Sequence, residues 1–177
     1  YRAECKVLKP IQLGEIDGKI FRLGNIMPRI TDEKFQINAK DNAFFSRVNT
    51  ILKYRELTAD YLKMIIDISP VDLCAKSILE IMKNNNNQTI YHIFNNNRFS
   101  VEHLLQTLNI NVKIVENNEL ANKLSSSDDP LDAHLLNDLN NGGFMETPVI
   151  NDLTTNWLNL LGFTWPELDK HYLLNIF

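Results

Sequence analysis

A strand–helix–strand pattern in the middle of the chain constrains the fold more than any other feature. Residues 64–68 form a short apolar run with β-branched members, which is typical of a buried strand. Ser69 and Pro70 then offer a side-chain oxygen and a fixed φ that suit a helix start, and Asp72 places a negative charge in the first turn. Residues 90–94 form a second short apolar run, which predicts another strand.

The predicted helix between these strands has apolar residues at helical spacing. They predict one buried face, which consists of Val71, Ala75, Ile78, Leu79 and Met82. Four asparagines at 84–87 are predicted to end the helix. Because two short strands joined by a helix suggest a crossover unit with a parallel pair, the sequence predicts an α/β fold.

The segment before this unit contains a second region of interest. Residues 19–23 predict a strand, and Gly24 in the turn that follows could bring the backbone close to a ligand. Residues 29–41 have no periodicity, and a loop of that length in a compact domain is often a functional lid or a mobile segment. Residues 99–177 predict mostly helices.

A helix over residues 42–54 is predicted to begin at Asp41 or Asn42. Phe44 and Phe45 on this helix could line a pocket. Their helical spacing with the apolar residues that follow favours the hydrophobic core instead.

Charge and composition narrow the classes of function. The formal net charge is −4, and no Lys/Arg run reverses it locally, which argues against nucleic acid as the main partner. No apolar run approaches the length of a membrane span, and the first residues do not resemble a signal peptide. Two isolated cysteines, Cys5 and Cys74, fit a reducing compartment better than a disulfide framework, so we expect a cytoplasmic protein.

The sequence lacks the common short motifs for phosphate and metal binding. Its glycines match neither GxGxxG nor GxxxxGK[ST], and there is no GxSxG elbow. The four histidines are scattered, and no Cys/His group has zinc spacing, so no metal site is predicted. The residues alone therefore predict an α/β scaffold without a complete catalytic site.

Three stretches together resemble a known enzyme family. They are Tyr1-Arg-Ala-Glu4, Phe21-Arg-Leu-Gly-Asn-Ile26 and Asp67-Ile-Ser-Pro-Val-Asp-Leu-Cys-Ala-Lys76. In order and spacing they are similar to the C-terminal part of extended short-chain dehydrogenase/reductases, and most similar to the thioester reductase domains that end many nonribosomal peptide synthetases. The resemblance continues through residues 91–95 and 161–166.

The resemblance implies that the catalytic residues lie upstream of this sequence. The family carries a Tyr-x-x-x-Lys motif whose Lys is commonly followed by an aromatic residue and then x-Ala-Glu, as in Tyr1-Arg-Ala-Glu4. The chain would then begin directly after the catalytic Lys, as a piece of a longer protein. The glycine-rich cofactor loop, the Ser or Thr that orients the carbonyl, the Tyr and the Lys would all precede it. No catalytic residue is therefore assigned here.

The residues that the resemblance does carry over lie around the first predicted strand. Those expected near the cofactor, NADPH or NADH, are Arg22, Gly24, Asn25 and Ile26; those expected to flank the substrate are Met27, Phe44 and Phe45. The resemblance further implies that residues 1–98 complete a Rossmann-like core with a few short, partly parallel strands and crossover helices. Residues 99–177 would form a helix-rich subdomain that meets an acyl or peptidyl carrier protein and its phosphopantetheine arm.

The expected function is the reductive release of a carrier-bound acyl or peptidyl thioester as an aldehyde or alcohol, with upstream modules of the same polypeptide as further partners. The isolated chain would be inactive and monomeric. Two alternatives stay open at this point: a related reductase or epimerase that acts on a free small molecule, and a non-catalytic module that binds a carrier protein or another partner.

Overall fold

The computed structural model describes residues 2–84, 87–141 and 150–177. Tyr1, two of the predicted helix-ending asparagines (Asn85 and Asn86) and residues 142–149 lie outside the described parts. The helices are α1 (Arg2–Gln12), α2 (Ala43–Tyr54), α3 (Ala59–Lys63), α4 (Val71–Lys83), α5 (Val101–Thr107), α6 (Asn117–Ser125), α7 (Asp132–Asn140), α8 (Asp152–Leu160) and α9 (Lys170–Ile176). The strands are β1 (Ile20–Leu23), β2 (Ile26–Met27), β3 (Glu56–Leu57), β4 (Ile65–Ile66), β5 (Ser69–Pro70), β6 (Ile90–Ile93), β7 (Phe99–Ser100) and β8 (Lys113–Ile114).

The strands form short pairs, most of them parallel, and the fold is α/β as predicted. β1 pairs with β6 in parallel, with Ile20 opposite Ile90 and Leu23 opposite Ile93. β2 pairs in parallel with β5, β3 in parallel with β8, and β4 antiparallel with β7. β5 and β6, which flank α4, therefore both pair with the nearly continuous segment formed by β1 and β2.

The predicted strand–helix–strand order is confirmed, but the predicted pairing is wrong. Residues 64–68 do not pair with residues 90–94, because β4 bonds to β7 and β6 bonds to β1. Local sequence patterns report a strand and its length, whereas the partner depends on contacts between distant segments. In this chain the earlier strand β1 is the parallel partner of β6.

The start of α4 also differs from the prediction. Pro70 is the N-cap residue and no side chain caps the helix, so Ser69 does not have the predicted capping role. The Ser69 hydroxyl instead donates to Oδ2 of Asp67 at 2.8 Å and accepts from the backbone N–H of Asn95 at 3.0 Å. The Ser69 hydroxyl therefore bonds to the Asp67 carboxylate and to Asn95, and not to the N–H groups at the start of α4. Asp72 does lie in the first turn.

The buried face of α4 is not the predicted one. Cys74, Ser77 and Ile81 are buried, while Leu79 and Met82 are 56% and 57% exposed. The small side chains of Cys74 and Ser77 face the second core defined below, and a serine carries no apolar signal in a sequence pattern. Of the predicted face, only Ile78 packs against the second core, where it is half-buried; the others are exposed: Val71, Ala75, Leu79 and Met82.

Two hydrophobic cores organise the described residues. The first core unites α2, residues 57, 66 and 68, and the helices α5, α6, α7 and α9; it includes Met27, Phe44, Leu105, Leu139 and Tyr172. The second core lies between α4, β6 and α8 and contains Cys74, Ile81, Tyr91, Ile93, Leu158, Phe163 and Trp165. Each core takes residues from both sides of position 98, and the boundary between 98 and 99 stays a prediction.

The loop between β2 and α2 is attached to the body of the protein at several points. The Asp72 carboxylate accepts hydrogen bonds from the backbone N–H groups of Ile30 and Thr31 at 3.1 and 3.3 Å. The Tyr172 hydroxyl donates to the carbonyl of Pro28 at 2.7 Å. A lid function of residues 29–41 stays a prediction, and any opening would have to break these contacts.

No helix in the described ranges is both long and apolar enough to cross a membrane.

Candidate functional site

The predicted cofactor turn lies where β1 and β6 end. The backbone N–H of Gly24 donates to the carbonyl of Ile93 at 3.0 Å, so the parallel ladder runs up to the turn. Ligands in open α/β sheets bind beyond the carboxyl ends of the strands. Gly24, Asn25 and Ile26 are therefore brought together at the edge that favours a ligand site.

Asp67 is the centre of this turn. Its Oδ2 accepts from the backbone N–H of Asn25 at 2.9 Å, and its Oδ1 accepts from the Asn25 side-chain amide at 3.0 Å. At Gly24, an added Cβ would lie 2.3 Å from Asp67 Oδ2 and 2.5 Å from the Cβ of Phe94. Both distances are shorter than real Cβ contacts, so only glycine fits the gap that Asp67 and Phe94 leave.

A chain of hydrogen bonds extends from Asp67 to the C-terminal tail. Asp67 accepts from Ser69, whose hydroxyl accepts from the Asn95 backbone. The Asn95 side chain donates to the carbonyl of Pro166 at 3.3 Å and accepts from the backbone N–H of Asn97 at 3.0 Å. The sequence analysis assigned Asp67 and Asn95 no role. The available signal was their position, because both are polar residues directly after an apolar strand.

The turn can offer a cofactor a packing surface but few free hydrogen-bonding groups. Both donors of Asn25 noted above bond to Asp67, and the Asn25 carbonyl accepts from the Ser69 backbone at 3.0 Å. The carbonyl of Ile26 accepts from the Asn42 side chain at 3.0 Å. What remains accessible is the face of the Gly24–Asn25 peptide and the half-buried side chain of Ile26. A flat ring that packs against the turn therefore fits these residues better than a ligand held by them through hydrogen bonds.

The side chain of Arg22 contacts residues outside the turn. Its guanidinium forms an ion pair with Glu4 on α1, and its Nη1 lies 3.2 Å from Nε2 of His92, its register partner on β6. The hydrogen bond from Arg22 lowers the pKa of the Glu4 carboxyl. Partial burial and the Arg22 charge lower the pKa of His92, so the ring is held neutral beside the guanidinium. A cofactor that uses Arg22 would have to compete with Glu4.

The three predicted substrate residues differ in exposure. Met27 is fully buried and Phe44 is buried, and both belong to the first core. Phe45 is half-buried, and its ring centroid lies 5.7 Å from that of Phe35 and 6.1 Å from that of Phe177. Of the three, Phe45 has the surface that a substrate could reach, together with the two rings beside it. The substrate role of all three stays a prediction.

Within the described residues, no three His, Cys, Asp or Glu side chains are grouped in a way that could hold a metal ion.

Comparison with known proteins shows which solved structures have a similar fold. No protein-family model and no curated protein matches the sequence. Among solved structures, a thiolation-reductase di-domain from an archaeal nonribosomal peptide synthetase matches 98% of this chain with a TM-score of 0.83 and 29% identity. The chain is similar in fold and sequence to a nonribosomal peptide synthetase reductase domain. The aureusimine biosynthetic cluster reductase domain matches 97% of the chain with a TM-score of 0.84 and 25% identity.

The resemblance to the thioester reductase family seen in the sequence is thereby confirmed. The terminal reductase domain of the myxalamid PKS-NRPS pathway matches 89% of the chain with a TM-score of 0.69; at 16% identity it supports the fold alone. The chain covers 38% of the archaeal di-domain and 46% of the aureusimine reductase domain. It therefore spans less than half the length of the reductase structures that it matches.

Proposed function

We propose that this chain is the substrate-side part of an NAD(P)H-dependent thioester reductase, which releases an acyl or peptidyl chain from a carrier protein as an aldehyde or alcohol. The observation that carries the proposal is the match of nearly the whole chain to two reductase domains at TM-scores of 0.83 and 0.84. The archaeal match is a thiolation-reductase di-domain, which supports a carrier domain as the partner of this chain too.

In the proposed reaction, bound NADPH would supply the hydride that the thioester carbonyl carbon accepts. The C–S bond would break, the thiol of the pantetheine arm would leave with a proton, and the aldehyde would form. A second hydride and a proton would give the alcohol. The part of this chain in that reaction is positional. The turn at Gly24–Ile26 gives the nicotinamide ring a rigid surface, because Asp67 and the Ser69 backbone hold both peptide groups of Asn25 in place.

The substrate side of the proposed site is formed by the loop 28–41 and α2. Phe45, with Phe35 and Phe177, gives this side an aromatic surface for an acyl chain. Because Tyr172 and Asp72 attach the loop to α9 and α4, the wall is held in place before substrate binds. Water would be excluded by packing against these residues rather than by closure of a free loop.

We expect the chain alone to be inactive and to bind NADPH weakly. The sequence contains neither a GxGxxG motif nor a Tyr-x-x-x-Lys motif, and it covers less than half of the reductase structures that it matches. Two features of the structure support this expectation. No residue of α1 is buried, and β1 pairs only with β6 among the described strands. A two-stranded sheet is marginal by itself. A cytoplasmic location and a monomeric state stay predictions; the structure has two free thiols, an exposed Cys5 and a buried Cys74.

The test compares this chain with a protein extended upstream through the whole reductase domain. NADPH oxidation is followed at the nicotinamide absorbance with an acyl-pantetheine thioester as substrate. We expect turnover by the extended protein only, and its loss when the upstream Tyr is changed to Phe. An extended protein that neither turns over nor binds NADPH would reject the reductase assignment and favour the non-catalytic binding module, for which carrier-protein affinity is the next measurement.

A further inference from the structure

We propose that Arg22 is a positioning residue of the reductase: through Glu4 it holds the first turn of α1 at the carboxyl edge of the β1–β6 pair, and it does not contact the cofactor. This role differs from the cofactor contact that the resemblance implies for Arg22. The proposal rests on the proposed function and on the resemblance, which puts the catalytic Lys directly before Tyr1.

The first argument is the direction of α1. Glu4, in the first turn of the helix, pairs with Arg22, which is the third of the four residues of β1. At the other end of the helix, a Cβ added at Gly18 would lie 3.2 Å from Cδ1 of Ile11. The helix therefore runs antiparallel to β1, and its N-terminal end lies at the carboxyl edge of the strand. Ligands in open α/β sheets bind at that edge.

The second argument is that each nitrogen of the Arg22 guanidinium already has a partner. Nε donates to Oε2 of Glu4 at 3.2 Å, and Nη2 donates to Oε1 of the same carboxylate. Nη1 lies 3.2 Å from Nε2 of His92, and because a guanidinium can only donate, this ring nitrogen accepts. The two bonds to Glu4 form a bidentate pair, which fixes the direction of the carboxylate as well as its distance.

The third argument is the weak packing of α1. None of its described residues is buried, so apolar contacts hold the helix only loosely. The side chains of Arg22 and Glu4 are 45% and 23% exposed, and an exposed ion pair adds little to the free energy of unfolding. Its bidentate geometry can still orient a loosely packed helix. Arg22 therefore affects where α1 lies more than how stable the chain is.

The position of α1 matters for the proposed reaction. Residues that precede α1 in the extended protein would join it at the carboxyl edge, and the turn at Gly24–Ile26 begins two positions after Arg22. A shift of α1 would therefore move those residues relative to a nicotinamide ring that packs on the turn. A misplacement of about 1 Å can lower a rate by about a hundredfold. Loss of the Arg22–Glu4 pair should lower kcat and leave the KM for NADPH nearly unchanged.

The first experiment measures kcat and the KM for NADPH in the extended protein, with an acyl-pantetheine thioester as the second substrate. The variants are Glu4→Ala, Arg22→Met, the two combined, and Arg22→Lys. The matched control is Glu80→Ala on α4, because the Glu80 side chain is 27% exposed and forms an ion pair with Lys83.

We expect Glu4→Ala and Arg22→Met each to lower kcat about tenfold, with a KM for NADPH within about twofold of wild type. The combined variant should lose no more than either single variant, because both remove the same contact. Arg22→Lys, which keeps the charge and one donor group, should lose less than Arg22→Met. Glu80→Ala should have the kcat of wild type.

The second experiment needs no turnover, because amide hydrogen exchange of this chain reports directly on the attachment of α1. Exchange of residues 6–12 should be about threefold or more faster in Arg22→Met than in wild type, and unchanged in Glu80→Ala. Arg22→Met is the decisive variant here, because it leaves the sequence of α1 unchanged.

Three results would overturn the proposal. A raised KM for NADPH in Arg22→Met, with Glu4→Ala like wild type, would make Arg22 a cofactor residue. A loss of kcat in the combined variant equal to the product of the two single losses would show that Arg22 and Glu4 act independently. Unchanged exchange of α1 in Arg22→Met would show that the pair does not hold the helix.

The two experiments separate this proposal from the proposed function. An extended wild type without turnover would reject the proposed function, and with it the role of Arg22 in reduction. The exchange result would still show whether Arg22 holds α1. Normal turnover with unchanged kcat in Glu4→Ala and Arg22→Met would reject the positioning role alone and keep the reductase assignment.

Discussion

Arg47 on α2 holds Asp138 on α7 through two hydrogen bonds, Nε to Oδ2 at 2.6 Å and Nη2 to Oδ1 at 3.0 Å. The Tyr61 hydroxyl donates to the same Oδ2 at 2.9 Å. The side chains of Arg47 and Asp138 are only 18% and 9% exposed. Burial and the neighbouring carboxylate raise the pKa of Tyr61, so its hydroxyl remains a donor at ordinary pH. This buried ion pair joins α2 to α7.

We predict that Asp138→Asn destabilises the chain by about 3 kcal/mol, because a neutral amide replaces the largely buried carboxylate that accepts hydrogen bonds from Arg47 and Tyr61. The measurement is urea unfolding at pH 7. The matched control is Asp60→Asn, which removes a carboxylate from an exposed pair with Lys63 and should cost less than about 0.5 kcal/mol. Equal effects of the two variants would show that burial of the Arg47–Asp138 pair carries no extra energy.

A second buried carboxylate makes the free energy of unfolding depend on pH. Asp132 is 2% exposed and accepts hydrogen bonds from Thr50, Lys53, Tyr54 and Ser127. Burial raises the pKa of this carboxyl, but the hydrogen bonds from those four side chains lower it more, so the pKa lies below its usual 3.8. The charged form is therefore stabilised in the folded protein.

We predict that Asp132→Asn makes the free energy of unfolding depend less on pH in the acid range. A lowered folded-state pKa contributes stability that is fully present above 3.8 and is lost as pH falls through the folded value. The free energy of unfolding of wild type should exceed that of Asp132→Asn at pH 7, and the gap should narrow below about pH 4. Urea unfolding at several pH values tests this. A gap that stays constant down to pH 2 would contradict the prediction.

The close contact at Gly24 gives a third prediction. Gly24→Ala would force a methyl group against the Asp67 carboxylate and Phe94, and we expect a loss of about 2 kcal/mol. Gly18→Ala is the matched control, because a Cβ there would meet only the flexible Ile11 side chain, at 3.2 Å. Thermal or urea unfolding measures both variants. If Gly24→Ala is as stable as Gly18→Ala, then Asp67 does not hold the turn as closely as the structure shows.

The two cysteines are expected to differ in reactivity. Cys5 is exposed on α1, whereas Cys74 is 2% exposed, and burial raises the pKa of its thiol to about 12. Because the thiolate is the reacting form, the native chain should react with one equivalent of a disulfide reagent at pH 8. A second equivalent should react only after unfolding in urea. Two fast equivalents in the native chain would show that α4 does not bury Cys74 stably.

Local features of the fold could be predicted from the sequence because they depend on neighbouring residues. The order of strand, helix and strand around α4 follows from apolar runs and from an acidic first turn. The side chain of Asn42 caps α2 by accepting from the backbone N–H of Phe45 at 2.9 Å, as the cap prediction expected. At the candidate site, the turn at Gly24–Asn25 was found by its glycine and its place after a strand.

Features that depend on distant segments could not be predicted. Nothing in the residues around Ser69 indicates that its hydroxyl accepts from the backbone N–H of Asn95, which is 26 positions away. The buried face of α4 was misassigned because Ser77, which carries no apolar signal, packs inward with Cys74 and Ile81. Leu79 and Met82 face outward. The network through Asp67 was missed for the same reason, because its bonds to Asn25 span 42 positions.

The attachment of the loop 28–41 gives the last prediction. Tyr172→Phe removes the hydroxyl that donates to the Pro28 carbonyl, in a buried setting, and should cost about 1–2 kcal/mol because a buried carbonyl loses its donor. Amide hydrogen exchange of residues 29–41 should accelerate more than that of α2. Asn175→Ala is the control, because its bond to Glu33 is exposed and should matter little. Unchanged exchange of the loop in Tyr172→Phe would mean that Asp72, through the backbones of Ile30 and Thr31, is sufficient to hold the loop closed.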